Sequence, residues 1–253
     1  MTLRTRLAVF LGGAMGLAVV LTAGIAGLPD FGEYSHRYGL VLNEVAVRER
    51  HATNVVTSIV FDYRGFDTLG EEFILFGAVM GVALLLRAQR EEEERPPHDA
   101  APHRELPHDS DAVRELSLGL VAPAFLFGLY VVAHGALSPG GGFQGGVVLA
   151  TAPLLMYLGG EHRGLERLTP ETLVELGEGS GAGAYAVIGA MGLAAAGTFL
   201  FNFLPLGTRG SLLSGGTIPL INGAVGVAVA AGFVLLLSEF LEQALEIRRR
   251  SKA

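Results

Sequence analysis

The sequence predicts an all-α, polytopic membrane protein of about six transmembrane helices. Three observations predict it. Half of the 253 residues are apolar, only 17% are charged, and the mean hydropathy is +0.46, too hydrophobic for an ordinary soluble domain. Apolar runs approaching the roughly 20 residues that a helix needs to cross a bilayer recur along the chain. Alternating segments of about ten residues, the mark of a transmembrane barrel, are not seen.

The first span is Leu7–Leu28. Its basic start, MTLRTR, and the small residues Ala23 to Gly27 resemble a signal peptide. The apolar run exceeds the roughly 7–15 residues of a signal core, so a retained helix is expected. Five more spans follow: Phe73–Leu86, Ser117–Ala133, Phe143–Leu158, Ala182–Phe203 and Ile218–Leu237. The second is short and the fourth is glycine-rich, so both are expected to be tilted, extended at their ends or broken.

Most of the 18 Lys and Arg residues fall at the N-terminus, in the second and fourth connections and in the C-terminal tail. The positive-inside tendency then places both termini in the cytoplasm, in accord with an even helix count. The closing RRRSKA suits anionic headgroups or simply stops transfer. The expected location is the plasma membrane of a prokaryote. The net charge of −7 gives no sign of nucleic-acid binding.

The spans divide into two and four. Residues 1–87 form a two-helix unit, 88–115 a flexible charged linker, 116–243 a four-helix unit and 244–253 a basic tail. The linker is rich in charge and proline, a composition that does not build a core. Its His98, His103 and His108 recur every five residues, a spacing that does not gather them on one helix face. A chance occurrence in a polar linker is the better reading than a metal site.

The long first connection carries NVVTSIVFDYRGFDTLGEE. Val55, Val56, Ile59 and Val60 stand at helical spacing, an apolar face for the outer membrane surface or a neighbouring subunit. Asp62, Arg64, Asp67, Glu71 and Glu72 follow, with Gly65 and Gly70 permitting turns. On these boundaries no Asp, Glu, Lys or Arg falls inside any span. Only neutral polar residues do, such as Thr22, Thr151, Thr198, Asn202 and Asn222. Intramembrane ionisable groups usually mark ion or proton pathways, so the chain is not expected to carry coupling chemistry alone. The absence of cysteine excludes disulfides, thiolate metal sites and thiol catalysis.

Two glycine-rich turns stand out. Pro139-Gly140-Gly141-Gly142-Phe143-Gln144-Gly145-Gly146 lacks the lysine that a phosphate-binding loop requires. Its proline and first glycines allow a sharp turn, and Gly145 and Gly146 allow close helix approach. The second runs from Gly207 to Gly226 and leads through Gly215 and Gly216 into the sixth span. Pro219 there is an ordinary helix start or a break, and Asn222 is interhelical glue or an ion ligand. These two turns and RGFDTLGEE share the outer side on the topology above.

These segments also carry a resemblance. HGALSPGGGFQGGVVLA and SGGTIPLINGAVGVAVAAG resemble the B subunit of Mrp-type multisubunit sodium/proton antiporters. NVVTSIVFDYRGFDTLGEE resembles the C-terminal part of the Mrp A subunit and the small E-type subunit of membrane-bound hydrogenases. The resemblance implies a non-catalytic integral subunit without a cofactor of its own. It would pack among other membrane subunits in the lipid bilayer and help shape a sodium route while protons move in exchange. It implies Asp62, Asp67, Glu71 and Glu72 as carboxylates near that route, with Thr217 and Asn222 as neutral oxygen donors. The alternative is an ion-translocating membrane subunit of an energy-converting hydrogenase or a related redox enzyme. A third reading is a stand-alone scaffold or lipid-binding protein.

Overall fold

The computed structural model describes residues 3–28, 37–86, 110–159 and 170–250. The described residues are helical with turns between, and no strand occurs among them. The chain forms two compact units, Met1–Leu42 and Asn43–Ala253. His98, His103 and His108, the linker up to residue 109 and the tail beyond Arg250 lie outside the described residues.

The first unit contains α1, Leu3–Ala26, and the start of α2, Arg37–Arg50. α1 is apolar all round, and its bilayer-length stretch buries no residue within the protein, as expected of a helix immersed in lipid.

The second unit holds the rest. After α2 come a short α3, Val55–Ser58, and a π-helical turn, Ile59–Tyr63. Five long helices follow: α4, Gly65–Leu86; α5, Asp111–Ala133; α6, Gly142–Leu158; α7, Glu171–Ala196; and α8, Ile218–Arg250. α8 is the central helix and packs against α4, α5, α6 and α7. α1, α4, α5, α7 and α8 are long and apolar enough to cross a membrane, and α6 is a shorter apolar helix. That is the polytopic helical architecture the sequence predicts.

Small residues bring these helices together. A Cβ on Gly146 would lie 2.8 Å from the Val229 Cβ on α8, and one on Gly128 would lie 2.8 Å from the Leu149 backbone nitrogen. On α7, Gly181 approaches α8 so closely that a Cβ would stand 2.6 Å from the Ala228 nitrogen. Without a hydrophobic force between helices in lipid, such close packing is what holds them. A buried cluster that includes Phe61, Leu69, Tyr185, Ile221, Val225 and Val229 fills the seam among the π turn, α4, α7 and α8.

Several boundaries differ from the sequence reading. The second span begins at Gly65 rather than Phe73, so Asp67, Glu71 and Glu72 are helical. α5 starts at Asp111, where the Ser110 side chain accepts a hydrogen bond from the Val113 N–H. The last residues assigned to the linker are therefore helix. Gly142, Gln144, Gly145 and Gly146 lie in the first turns of α6, and only Pro139, Gly140 and Gly141 form the turn. α7 runs from Glu171 to Ala196, not Ala182 to Phe203, and ends on Gly197 in the left-handed conformation. α8 continues past Leu237 to Arg250, into the residues assigned to a tail. The expectation of charge-free spans fails with these shifts, since α4 contains Glu72 and α7 contains Glu175 and Glu178. The reason is physical. Counting apolar residues stops at the first acid, yet a helix that turns an acid toward protein rather than lipid continues through it.

Of the residues read as an apolar face, Val55 and Val56 lie in α3 and Ile59 and Val60 in the π turn. Val56 is exposed, and Val60 packs on the buried cluster.

Candidate functional site

The three glycine-bearing segments meet at one end of the second unit. Asn54 caps α3, its carbonyl oxygen accepting from the Thr57 N–H at 3.4 Å. Its amide nitrogen donates to the carbonyl oxygens of Gly135 and Ser138 at 2.8 and 2.9 Å. The Thr57 hydroxyl donates to the Gly135 oxygen at 2.6 Å. The segment before α4 is thereby laced to the turn before α6.

The π turn presents Asp62 to a second set of partners. Arg50 Nε donates to Asp62 Oδ1 at 2.6 Å, and Asn202 Nδ2 donates to Asp62 Oδ2 at 2.8 Å. Asn202 Nδ2 also donates to the Gly215 carbonyl, and Asn202 Oδ1 accepts from the Thr217 N–H at 2.8 Å. Gly216, in the left-handed conformation at φ 66°, passes so close to the Asn202 amide that a side chain has no room. His51 ends α2 in a left-handed conformation, and its Nδ1 donates to the Gly207 carbonyl at 2.7 Å. Arg50 stacks over the Tyr63 ring at 4.7 Å, and the Tyr63 hydroxyl donates to Glu49 at 2.7 Å. Partial burial and the Glu49 bond push the Tyr63 hydroxyl up to about 12, so it stays a neutral donor at ordinary pH.

Asn222 joins three helices. Its Oδ1 accepts from the Gly142 N–H at 2.6 Å, and its Nδ2 donates to the Val132 carbonyl at 2.5 Å. Both ends of the buried amide are occupied, which favours the packing reading of this residue. Thr217 is buried at the start of α8.

The sequence-derived carboxylates part company. Asp62 is mostly buried and ion-paired. Asp67 is about half exposed and pairs with Arg64, whose Nε lies 2.7 Å away. Glu71 is exposed on α4. Glu72 turns inward and is only 3% exposed.

Two groups of interest escaped the sequence reading. Glu178 on α7 is also 3% exposed, and its Oε1 has no hydrogen-bond partner. α8 offers Gly232 opposite it, where a Cβ would stand 3.2 Å from that oxygen and 3.5 Å from Val79 of α4. Its signal was present: Gly177 and Gly181 flank it at the spacing of close-packed membrane helices. His134 precedes the PGGG turn with no sequence signal of its own, yet its Nδ1 is buried without a hydrogen-bond partner and its ring stacks on Tyr130 at 4.1 Å. No group of three or more His, Asp or Glu residues suited to a metal occurs among the described residues.

Two families match adjoining parts of the chain. Residues 112–235 match the domain related to the MnhB subunit of Na+/H+ antiporters, and residues 6–101 match MbhE, the E-type subunit of MBH. A chain of the archaeal membrane-bound sulfane sulfur reductase, a respiratory membrane complex, is similar over 95% of this chain and 99% of its own, with 32% identity and a TM-score of 0.67. The chain belongs to this MnhB/MbhE family of membrane subunits. An uncharacterized protein of Methanocaldococcus jannaschii is 29% identical over 76% of the MnhB/MbhE chain and 78% of its own length. A probable K(+)/H(+) antiporter protein of Rhizobium meliloti, of the combined A/B type, is 35% identical over 49% of this chain, which spans only 14% of that protein. The Mrp complex of Dietzia sp. DQ12-45-1b shares the fold, with 23% identity and a TM-score of 0.70 over 94% of this chain and 26% of the Mrp chain. The family and the apolar helices make this an integral, multi-pass membrane protein.

Proposed function

We propose that this chain is a non-enzymatic membrane subunit of a multisubunit monovalent-cation/proton antiporter, exchanging sodium for protons with its partner subunits. The observation that carries the reading is the junction of the two family units in one folded body. Asn54 and Thr57 from one unit bond the turn of the other, and Asp62 bonds Asn202. The chain thereby builds a fixed wall of several membrane helices against which other subunits pack. Of the acids near a cation route, Asp62 and Asp67 are held by arginines, which leaves Glu71 and Glu72 as the better candidates. Thr217 and Asn222 act in this reading mainly by fixing the start of α8.

The near-complete match to the sulfane sulfur reductase chain favours a second reading, a membrane subunit of a redox-driven ion pump. This chain has no cysteine, so iron–sulfur chemistry there would belong to other subunits. A pull-down of the tagged chain from native membranes in mild detergent, read by mass spectrometry, tests both. Co-purifying antiporter proteins without redox partners support the first reading, and cysteine-rich redox subunits support the second. A lone polypeptide overturns both.

A further inference from the structure

We propose that Glu178 of α7, working with Glu72 of α4, is a proton-binding site within the membrane domain of this chain. The inference rests on the reading of the chain as part of an ion-translocating assembly and names a residue of that route.

Glu178 sits seven residues beyond the start of α7, on the face that meets α4 and α8. It is almost wholly buried, and one carboxyl oxygen meets no donor. A buried polar atom without a partner is costly and calls for an explanation such as function. The packing also indicates which ion. A sodium or potassium ion needs a shell of several oxygens in place of its water, whereas Glu178 Oε1 lies against the backbone of Gly232, at a close approach that Val79 also lines. A proton needs one carboxyl oxygen.

The neighbouring groups form a ladder along the helices. Val79, which meets α8 at the same glycine as Glu178, lies seven residues from Glu72 on α4, about two turns or roughly 10 Å. On α7 the same spacing separates Glu178 from Tyr185, whose hydroxyl donates to the Gly65 carbonyl at 2.7 Å and lies against Thr68. Glu72 therefore lies toward the end bearing the Asp62 network. Glu178 lies toward the opposite end, where Glu175 is exposed one turn earlier on α7. Of the titratable groups on these helices, Glu72 and Tyr185 are buried in the seam, while Glu71 of α4 and Glu175 of α7 are exposed beside it. The nearest titratable residue on α8 after Gly232 is Glu239, two turns further on. The step between the carboxyls is balanced: an O–H bond of the Glu178 acid breaks, one forms on the Glu72 carboxylate, and nothing else is consumed. The roughly 10 Å between their levels exceeds a hydrogen bond, so water entry or side-chain movement gates the transfer.

The test uses the intact complex in native membrane vesicles. A hydrophobic carbodiimide, which modifies protonated carboxyls at membrane depth, should label Glu178 in wild type, with labelling falling as pH rises. Glu178→Gln should assemble normally and lower cation-dependent proton movement at least tenfold. An assembled Glu178→Gln complex with wild-type flux and pH profile overturns the proposal. If that variant fails to assemble, wild-type labelling decides, and absence of label on Glu178 from acid to neutral pH overturns it. These outcomes are distinct from the pull-down, which can fail without altering the labelling.

Discussion

Asp62 and Glu178 are both acids drawn into the folded body, yet their surroundings are opposite. Asp62, at the turn-bearing end, has an arginine on one oxygen and an asparagine on the other. Glu178, at the α4/α7/α8 seam, has an oxygen with no hydrogen-bond partner. A satisfied acid fixes structure, because its protonation or removal breaks a network. An unsatisfied acid buried among helices holds no such network together, which is why the proton site is assigned to it. The turn-bearing end therefore holds the molecule together, and the α4/α7/α8 seam is where the proposed proton site lies.

Mutations separate these roles, and the largest effect is expected from packing. A Cβ on Gly142 would run into the Asn222 carbonyl oxygen and lie 2.8 Å from the Gly226 nitrogen. Gly142→Leu should leave little monodisperse protein in detergent extracts, read by size-exclusion chromatography. Overpacking a close helix contact costs about 1–3 kcal/mol or more.

Asp62→Ala comes next. It strips a partner from Arg50 and from Asn202, and should cost about 2 kcal/mol. The expected readout is a lower midpoint of thermal unfolding in detergent, with flux per assembled complex unchanged. Lost flux in a fully stable Asp62→Ala complex would place ion chemistry at the turns and break the comparison.

Asn222→Ala should cost about 1 kcal/mol, in line with polar contacts between membrane helices. The same unfolding midpoint reports it, and an unchanged cation dependence would mark Asn222 as glue rather than ligand. Asp67→Asn should be the mildest. Its pair with Arg64 is about half exposed, so its loss is worth no more than about 0.5 kcal/mol.

Much of the turn-bearing end was legible in the sequence. The glycines of residues 139–146 and 215–216, the RGFDTLGEE segment and Asn222 all stood out, and the fold brings them together. The helix limits were less legible. Charge and glycine both read as loop, so the sequence pattern starts α4 only at Phe73 and places α7 eleven residues late. Yet Glu72 faces protein, and Gly177 and Gly181 are glycines of helix contact. Glu178 was lost with that displaced boundary, since its importance depends on α8 presenting Gly232 beside it. Such a pairing between distant segments leaves only a spacing pattern in the sequence. The Arg50–Asp62–Asn202 chain was hidden for the same reason, as its members come from three separate stretches.

The most direct test compares the two kinds of acid in one preparation. Cation-driven proton movement is measured in vesicles carrying equal amounts of assembled wild-type, Glu178→Gln and Asp67→Asn complexes. The expected result is a flux at least tenfold lower for Glu178→Gln and near wild type for Asp67→Asn. Full flux in Glu178→Gln beside a collapse in Asp67→Asn would contradict the account.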